Sequence, residues 1–196
     1  VLADVSRKSE AVHRIAEQIS PGLKTLTLPL DLAIDGLTIV GQVADVRHDG
    51  GIVRMSYSKA ATKYSLRLWL DHLLLAASSE QGGRSVLVSR DSTKKITGFD
   101  AMERAYAENM LQNMIRLWRM ARCMPIPFFM DSAEKFAEKM KKGDSEEICM
   151  AAARTAYEGT ADRPGPSKKV AVQMAFAGQD PFQMECAGPG AAGGDG

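Results

Sequence analysis

Long apolar runs are missing from this sequence, and so is any excess of one charge. No stretch approaches the roughly 18 apolar residues of a membrane-spanning helix, so no span is expected. Residues 1–20 read as a charged amphipathic helix, so no secretory signal is expected either. The 25 Lys and Arg stand against 24 Asp and Glu, for a formal net charge of +1. A nucleic-acid surface would therefore have to be a local patch. Cysteine is scarce: Cys123, Cys149 and Cys186 are widely spaced and odd in number. This argues against a disulfide framework, suits a reducing cytoplasm and shows no metal-ligand spacing. There is no internal repeat. Valine at the first position points to a fragment of a longer chain.

What is present is an ordinary globular composition, 45% apolar over 196 residues, enough for one sizeable domain and a small appendage. Val5, Val12, Ile15 and Ile19 lie near helical spacing, and Pro21-Gly22 closes that helix. Leu26, Leu28, Leu30, Leu32 and Ile34 then alternate with Thr25, Thr27, Asp31 and Ala33, the period of a strand with one buried face. Asp35-Gly36 signals a two-residue hairpin turn. Strands over 37–46 and 52–57 follow, with a turn at His48-Asp49-Gly50-Gly51, so residues 25–58 are predicted to form an antiparallel meander. A helix at about 60–77 carries Leu66, Trp69, Leu70, Leu73 and Leu74 as an apolar stripe. It crosses to a short strand at Ser85–Ser89.

Beyond this lies a helix over 99–123, stopped by Pro125 and Pro127. Two further helices, at about 132–142 and 145–158, begin at Asp131-x-x-Glu134 and Asp144-x-x-Glu147, which resemble capping boxes. From Gly159 onward Gly and Pro dominate, and the final GPGAAGGDG is expected to be mobile. The expected organisation is an N-terminal helix (1–24), a sheet with its crossover helix (25–98), a helical part (99–160) and a flexible tail (161–196). The fold class is α/β of the α+β kind, a mixed sheet with an antiparallel meander flanked by helices.

The order helix, three-strand meander, helix, strand resembles the core of the PD-(D/E)xK nuclease superfamily. In active RecB-like members the resemblance implies a Gly-x-x-Asp on the second strand and an Asp-x-Lys on the third. Carboxylates on adjacent strands hold Mg²⁺, the metal activates water, and the lysine adds positive charge near the phosphate. Here Gly41-Gln42-Val43-Ala44 and Ser56-Tyr57-Ser58 occupy those places. Ala44, Ser56 and Ser58 thus stand where the three catalytic groups belong, so no catalytic residue, metal or cofactor is expected. A one-residue slip would offer Asp45 and Lys59 instead. A slip in a strand reverses the face a side chain occupies, and it would put Tyr57 in the acid's place.

A more specific resemblance rests on Leu30-Asp31-Leu32, Asp35-Gly36, Gly41, Asp49-Gly50-Gly51 and above all the stretch Leu66 to Leu73, LRLWLDHL. These resemble the C-terminal domain of RecC, a subunit of the RecBCD-type helicase–nuclease, well over residues 25–90 and loosely over 99–160. Ala153–Gly159 (ARTAYEG) is similar to a segment of that family, and after Gly159 the similarity is lost. The resemblance implies a non-catalytic scaffold that holds RecB- and RecD-type subunits, meets double-stranded DNA ends through the complex and acts in the cytoplasm.

Two other functions remain open at this point. One is an active Mg²⁺-dependent nuclease using Asp45 with Asp31 or Asp49. The other is a stand-alone DNA-binding module using Lys59, Lys63 and Arg67, whose spacing by four lines one helix face. The plainer reading of that face is solvated charge. The Arg116, Arg119 and Arg122 stripe has a sufficient cause in the dipole of a helix C-terminus. Lys135, Lys139, Lys141 and Lys142 balance nearby Glu134 and Glu138 as surface charge. His72 is expected to be a satisfied structural histidine, and Trp69 and the Met-rich long helix are expected to pack in the core.

Overall fold

The structure is a computed structural model that describes residues 2–22, 24–58, 62–79, 82–90, 92 and 96–183. It is an α+β fold divided into two compact units, Val1–Trp118 and Arg119–Gly196.

The first unit opens with α1 (Leu2–Ile19), whose bounds match the sequence periodicity. β1 (Leu26–Ile34) and β2 (Leu37–Val46) then pair antiparallel. Between them Asp35 and Gly36 both take positive φ, 50° and 72°, as a two-residue turn matched to strand twist requires. Leu30, Leu32 and Ile34 face inward, while Asp31 and Ala33 face solvent. Near the far end the pairing shifts: Leu28 meets Val43, but Leu26 meets Val46. Ala44 and Asp45 together therefore oppose Thr27 alone, a β-bulge, and Asp45 takes φ 62°.

The predicted three-strand meander is not one ladder. A single bridge, Val46 to Ile52, joins the second strand to the third, and β3 (Val53–Ser56) pairs instead with β4 (Ser85–Ser89), in parallel. Two causes combine. The bulge bends β2 just before the turn. All five residues of β4 are buried, which suits an interior strand flanked on both edges. β5 (Thr97–Phe99) pairs antiparallel with the other edge of β4 and is too short to leave a periodic signal.

The crossover helix α2 (Thr62–Ser78) lies between these layers and is buried on more than the expected stripe. Leu68 and Leu75 pack with Leu30, Val43, Val46, Ile52 and Leu87. Leu73, Ala76 and Ala77 pack with Leu32 and Ile34 and with Ala107, Leu111 and Ile115 of α3 (Arg104–Ala121). Leu66 and Leu70 are only half-buried. Fully burying one such leucine contributes about 1.5–3 kcal/mol, so α2 is the main anchor of this unit. α1 closes the far side, where Val12 and Ala16 meet Val53, Val86 and Val88. Met102, Met110 and Met114 pack against the α2–α3 cluster.

The second unit pairs α4 (Met130–Lys141) with α5 (Glu146–Glu158). The expected capping boxes are absent. Phe129 and Ser145 occupy the N-cap positions without a side-chain cap bond, Asp131 lies inside the first turn of α4, and Asp144 pairs with Lys139 at 3.3 Å. A 3₁₀ turn at Pro166–Lys168 and the helix α6 (Val170–Phe176) follow, where the sequence pattern suggested only a flexible tail. Their anchor is aromatic: Phe129 lies 4.7 Å from Tyr157 and 5.9 Å from Phe176, and Tyr157 lies 5.4 Å from Phe182. Four aromatics scattered over more than fifty positions leave no local signature. The final GPGAAGGDG lies outside the described residues.

Candidate functional site

Of the three positions singled out in the sequence, Ala44 lies in β2, and Ser56 and Ser58 lie at and just past the end of β3. Ala44 sits in the bulge, half-buried, and contributes a methyl group. Ser56 ends β3, and its Oγ is 2.9 Å from that of Ser58. Ser58 also meets the Tyr64 hydroxyl; this hydrogen bond, with the charge of Lys63, lowers the Tyr64 pKa below its ordinary value. None of these three side chains is a carboxylate or an amine.

Asp45 behaves differently from the sequence expectation. In an unbroken strand it would face away from position 44. The bulge removes that alternation: Val43 and Val46 are both buried, three residues apart, with half-buried Ala44 and Asp45 between them. The Asp45 carboxylate reaches toward β3, and Oδ2 accepts from Arg54 Nε at 3.2 Å. Arg54 in turn donates from Nη1 to Asp71 of α2 at 2.5 Å. One guanidinium therefore bridges two carboxylates and ties β2, β3 and α2 together. Burial works against the Arg54 charge, but the hydrogen bonds and charges of Asp71 and Asp45 together outweigh it and raise its pKa above the ordinary value. The side chains of Arg54 and Asp71 are 19% and 13% exposed and that of Asp45 is 46% exposed, so the Asp71 limb is the better shielded from water. The bridging role of Arg54 was not legible in the sequence; the one local hint was Asp71 following Arg67 by four.

The other candidate acids do not join this group. Asp31 is exposed on the solvent face of β1, and Asp49 is paired to Arg47 within its own turn. Among the described residues no three His, Cys, Asp or Glu gather as metal ligands.

The cationic face of α2 is only partly on view. Lys59 lies outside the described residues. Lys63 is exposed, with Nζ 4.9 Å above the Tyr64 ring. Arg67 is exposed and lies 3.9 Å from Asp71, so it shares the carboxylate that Arg54 holds.

His72 points inward and is satisfied at both ring nitrogens, Nδ1 to Ser85 Oγ at 2.8 Å and Nε2 to the Asp100 carbonyl at 3.1 Å. The Ile52 N–H donates to the same Ser85 Oγ at 3.2 Å, which leaves the hydroxyl proton for Nδ1. The two His72 bonds join α2 to β4 and to the residue after β5. In the second unit an apolar cavity of about 370 Å³ is lined by Phe128, Phe129, Phe136, Met150 and Phe182, with Ser132 beside them.

The unit thus combines a long bulged hairpin with a helix that crosses to a parallel strand. The family model described as "RecC C-terminal domain" matches residues 2–141, more than half of the chain. The chain belongs to the RecC C-terminal domain family. Membership gives it a role in the RecBCD complex, the exodeoxyribonuclease V of DNA repair, as part of the gamma subunit. The ARTAYEG stretch at 153–159 lies beyond the matched span. A comparison with curated proteins found no match. No helix among the described residues is long and apolar enough to cross a membrane.

Proposed function

We propose that this domain is a non-catalytic scaffold of the cytoplasmic RecBCD complex, a nuclease-like fold that no longer cuts DNA and instead contacts the RecB- and RecD-type subunits. The observation that carries this reading is the Arg54 bridge. Asp45, the acid next to Ala44 in the chain, is held by the Arg54 guanidinium, which also holds Asp71. Ala44, Ser56 and Ser58 supply neither an acid to hold Mg²⁺ nor an amine to face the phosphate. A fixed internal cation repels a divalent ion from the same pair of acids.

The test is a cleavage assay on linear single- and double-stranded DNA with Mg²⁺ or Mn²⁺, comparing the chain with its Asp45→Ala variant. Neither protein is expected to cut. Metal-dependent cleavage that disappears in the variant would overturn the proposal and restore the active-nuclease reading.

A second reading, a DNA-backbone contact at Lys63, Arg67 and Lys59, is favoured by the exposure of Lys63 and Arg67 on one side of α2. The carboxylate that Arg67 shares with Arg54 weakens it.

A further inference from the structure

The β1–β2 hairpin has an asymmetry that its core-facing side does not explain. With a two-residue turn, Ile34 and Leu37 form the hydrogen-bonded closing pair, and such pairs recur at Leu32–Ile39, Leu30–Gly41 and Leu28–Val43. The intervening pairs, Ala33–Thr38, Asp31–Val40 and Pro29–Gln42, aim their backbone groups away from each other. Among the described residues β1 and β2 form a two-stranded sheet, and apart from the Val46–Ile52 bridge at the end of β2 no strand pairs with either outer edge. On β1 the outer edge is interrupted by Pro29, which has no N–H and whose place opposite Gln42 leaves the inner ladder intact. On β2 no proline interrupts it: Thr38, Val40 and Gln42 each present an outward N–H and C=O. Natural sheets usually blunt such an edge with Pro, Lys or a covering element. Here β2 carries Thr, Ile and Val, good strand formers, and Val40 is 75% exposed.

We propose that the outer edge of β2 at Thr38–Gln42 receives an extended strand from a partner subunit of the complex. The alternation of donor and acceptor along an extended edge is matched by another extended backbone. The charge on the hairpin points the same way. Between Thr25 and Val46 there are three acids, Asp31, Asp35 and Asp45, and no Lys or Arg, and Arg54 of β3 offsets Asp45. A DNA backbone is repelled by such a surface. A strand with an apolar residue beside Val40 fits it, with a long Lys or Arg side chain reaching over Val40 toward Asp31, which stands across from Val40 one strand further in on the solvent face. This inference rests on the scaffold reading and names one contact within it.

The test uses the full gamma subunit assembled with its partner subunits. Val40→Pro removes one outward N–H and leaves the inner ladder bonds in place, as Pro29 does on β1. Ala33→Pro makes the same change on the β1 edge and is the control. Val40→Pro is expected to weaken assembly about tenfold, and Ala33→Pro to leave it unchanged. Amide hydrogen exchange on the unmodified subunit gives a reading that does not depend on how the variants fold: exchange at Thr38, Val40 and Gln42 is expected to slow about tenfold or more on assembly. Unchanged exchange at those amides would overturn the proposal, as would slowing that already follows concentration in the isolated subunit, which would make the occupant a second copy. Deleting the whole domain separates the two levels: if that abolishes assembly while the three amides stay unprotected, the scaffold reading stands and the edge does not.

Discussion

At the scale of the residue, Arg54 and His72 do opposite things with charge. Arg54 keeps its positive charge in a half-buried place because Asp71 and Asp45 flank it. In Arg54→Ala the two carboxylates lose the guanidinium that bridges them, and the largely shielded Asp71 is left with the exposed Arg67 at 3.9 Å. A loss of about 2 kcal/mol is expected in urea unfolding, the size of a charged hydrogen bond removed on one side. Asp45→Ala removes the more exposed partner and should cost under about 1 kcal/mol. Equal losses in the two variants would show that the Asp71 limb does not dominate. His72, by contrast, is held neutral. Burial lowers its pKa below the ordinary 6.5, and the backbone carbonyl and charge of Asp100 only partly oppose this. The unfolded chain takes up a proton near 6.5, whereas the folded chain does so only at lower pH. Stability from this group is therefore complete above that range and is lost as the pH falls from about 6.5 toward the folded pKa. Urea midpoints measured across this window should fall with acidification, and that part of the fall should be missing in His72→Gln.

At the scale of the element, turns are held by backbone contact. The turn at 47–51 presses against the start of β4 so closely that a Cβ on Gly51 would lie 2.2 Å from the Arg84 carbonyl oxygen. A Cβ on Gly83 would lie 2.3 Å from that of Asp49. The contact cannot open freely, because the Val86 N–H donates to Ile52 O at 2.7 Å just beyond it. Gly51→Ala is expected to destabilise by about 1–3 kcal/mol, the cost of overpacking. Gly41 provides the contrast: it lies in β2, and a Cβ there would meet nothing within 4 Å, so Gly41→Ala should be near neutral. Thermal unfolding of the two variants side by side checks both. The glycine that stands out in the motif Gly41-Gln42-Val43-Ala44 is therefore free of steric demand here, while the one in a common-looking turn is not.

At the scale of the whole molecule, nearly equal numbers of acids and bases leave little long-range attraction for DNA. The isolated chain is expected to bind linear DNA no better than a non-specific binder, at roughly 10⁻⁴–10⁻⁶ M near physiological salt. Lys63→Glu combined with Arg67→Glu should change the salt dependence little. A steep salt slope that collapses in the double variant, measured by fluorescence anisotropy, would favour the DNA-binding reading over the scaffold.

The sequence alone determined much of this protein. α1, the β1–β2 hairpin, its Asp35-Gly36 turn and the crossover helix follow from local periodicity and turn chemistry. The expectation that Ala44, Ser56 and Ser58 replace two acids and a lysine comes from aligning the hairpins in the sequence alone. Tertiary structure decided the rest. A bulge shifts phase over two residues, so Asp45 gained a place beside β3 that strict alternation denies it. Parallel pairing of β3 with β4 depends on what α2 buries on both sides. The helix at 170–176 rests on aromatics far away in the chain. Arg54 became the hub of two carboxylates only once three elements met. Each of these is a contact between residues distant in sequence, and local propensity holds no record of such contacts until packing brings them together.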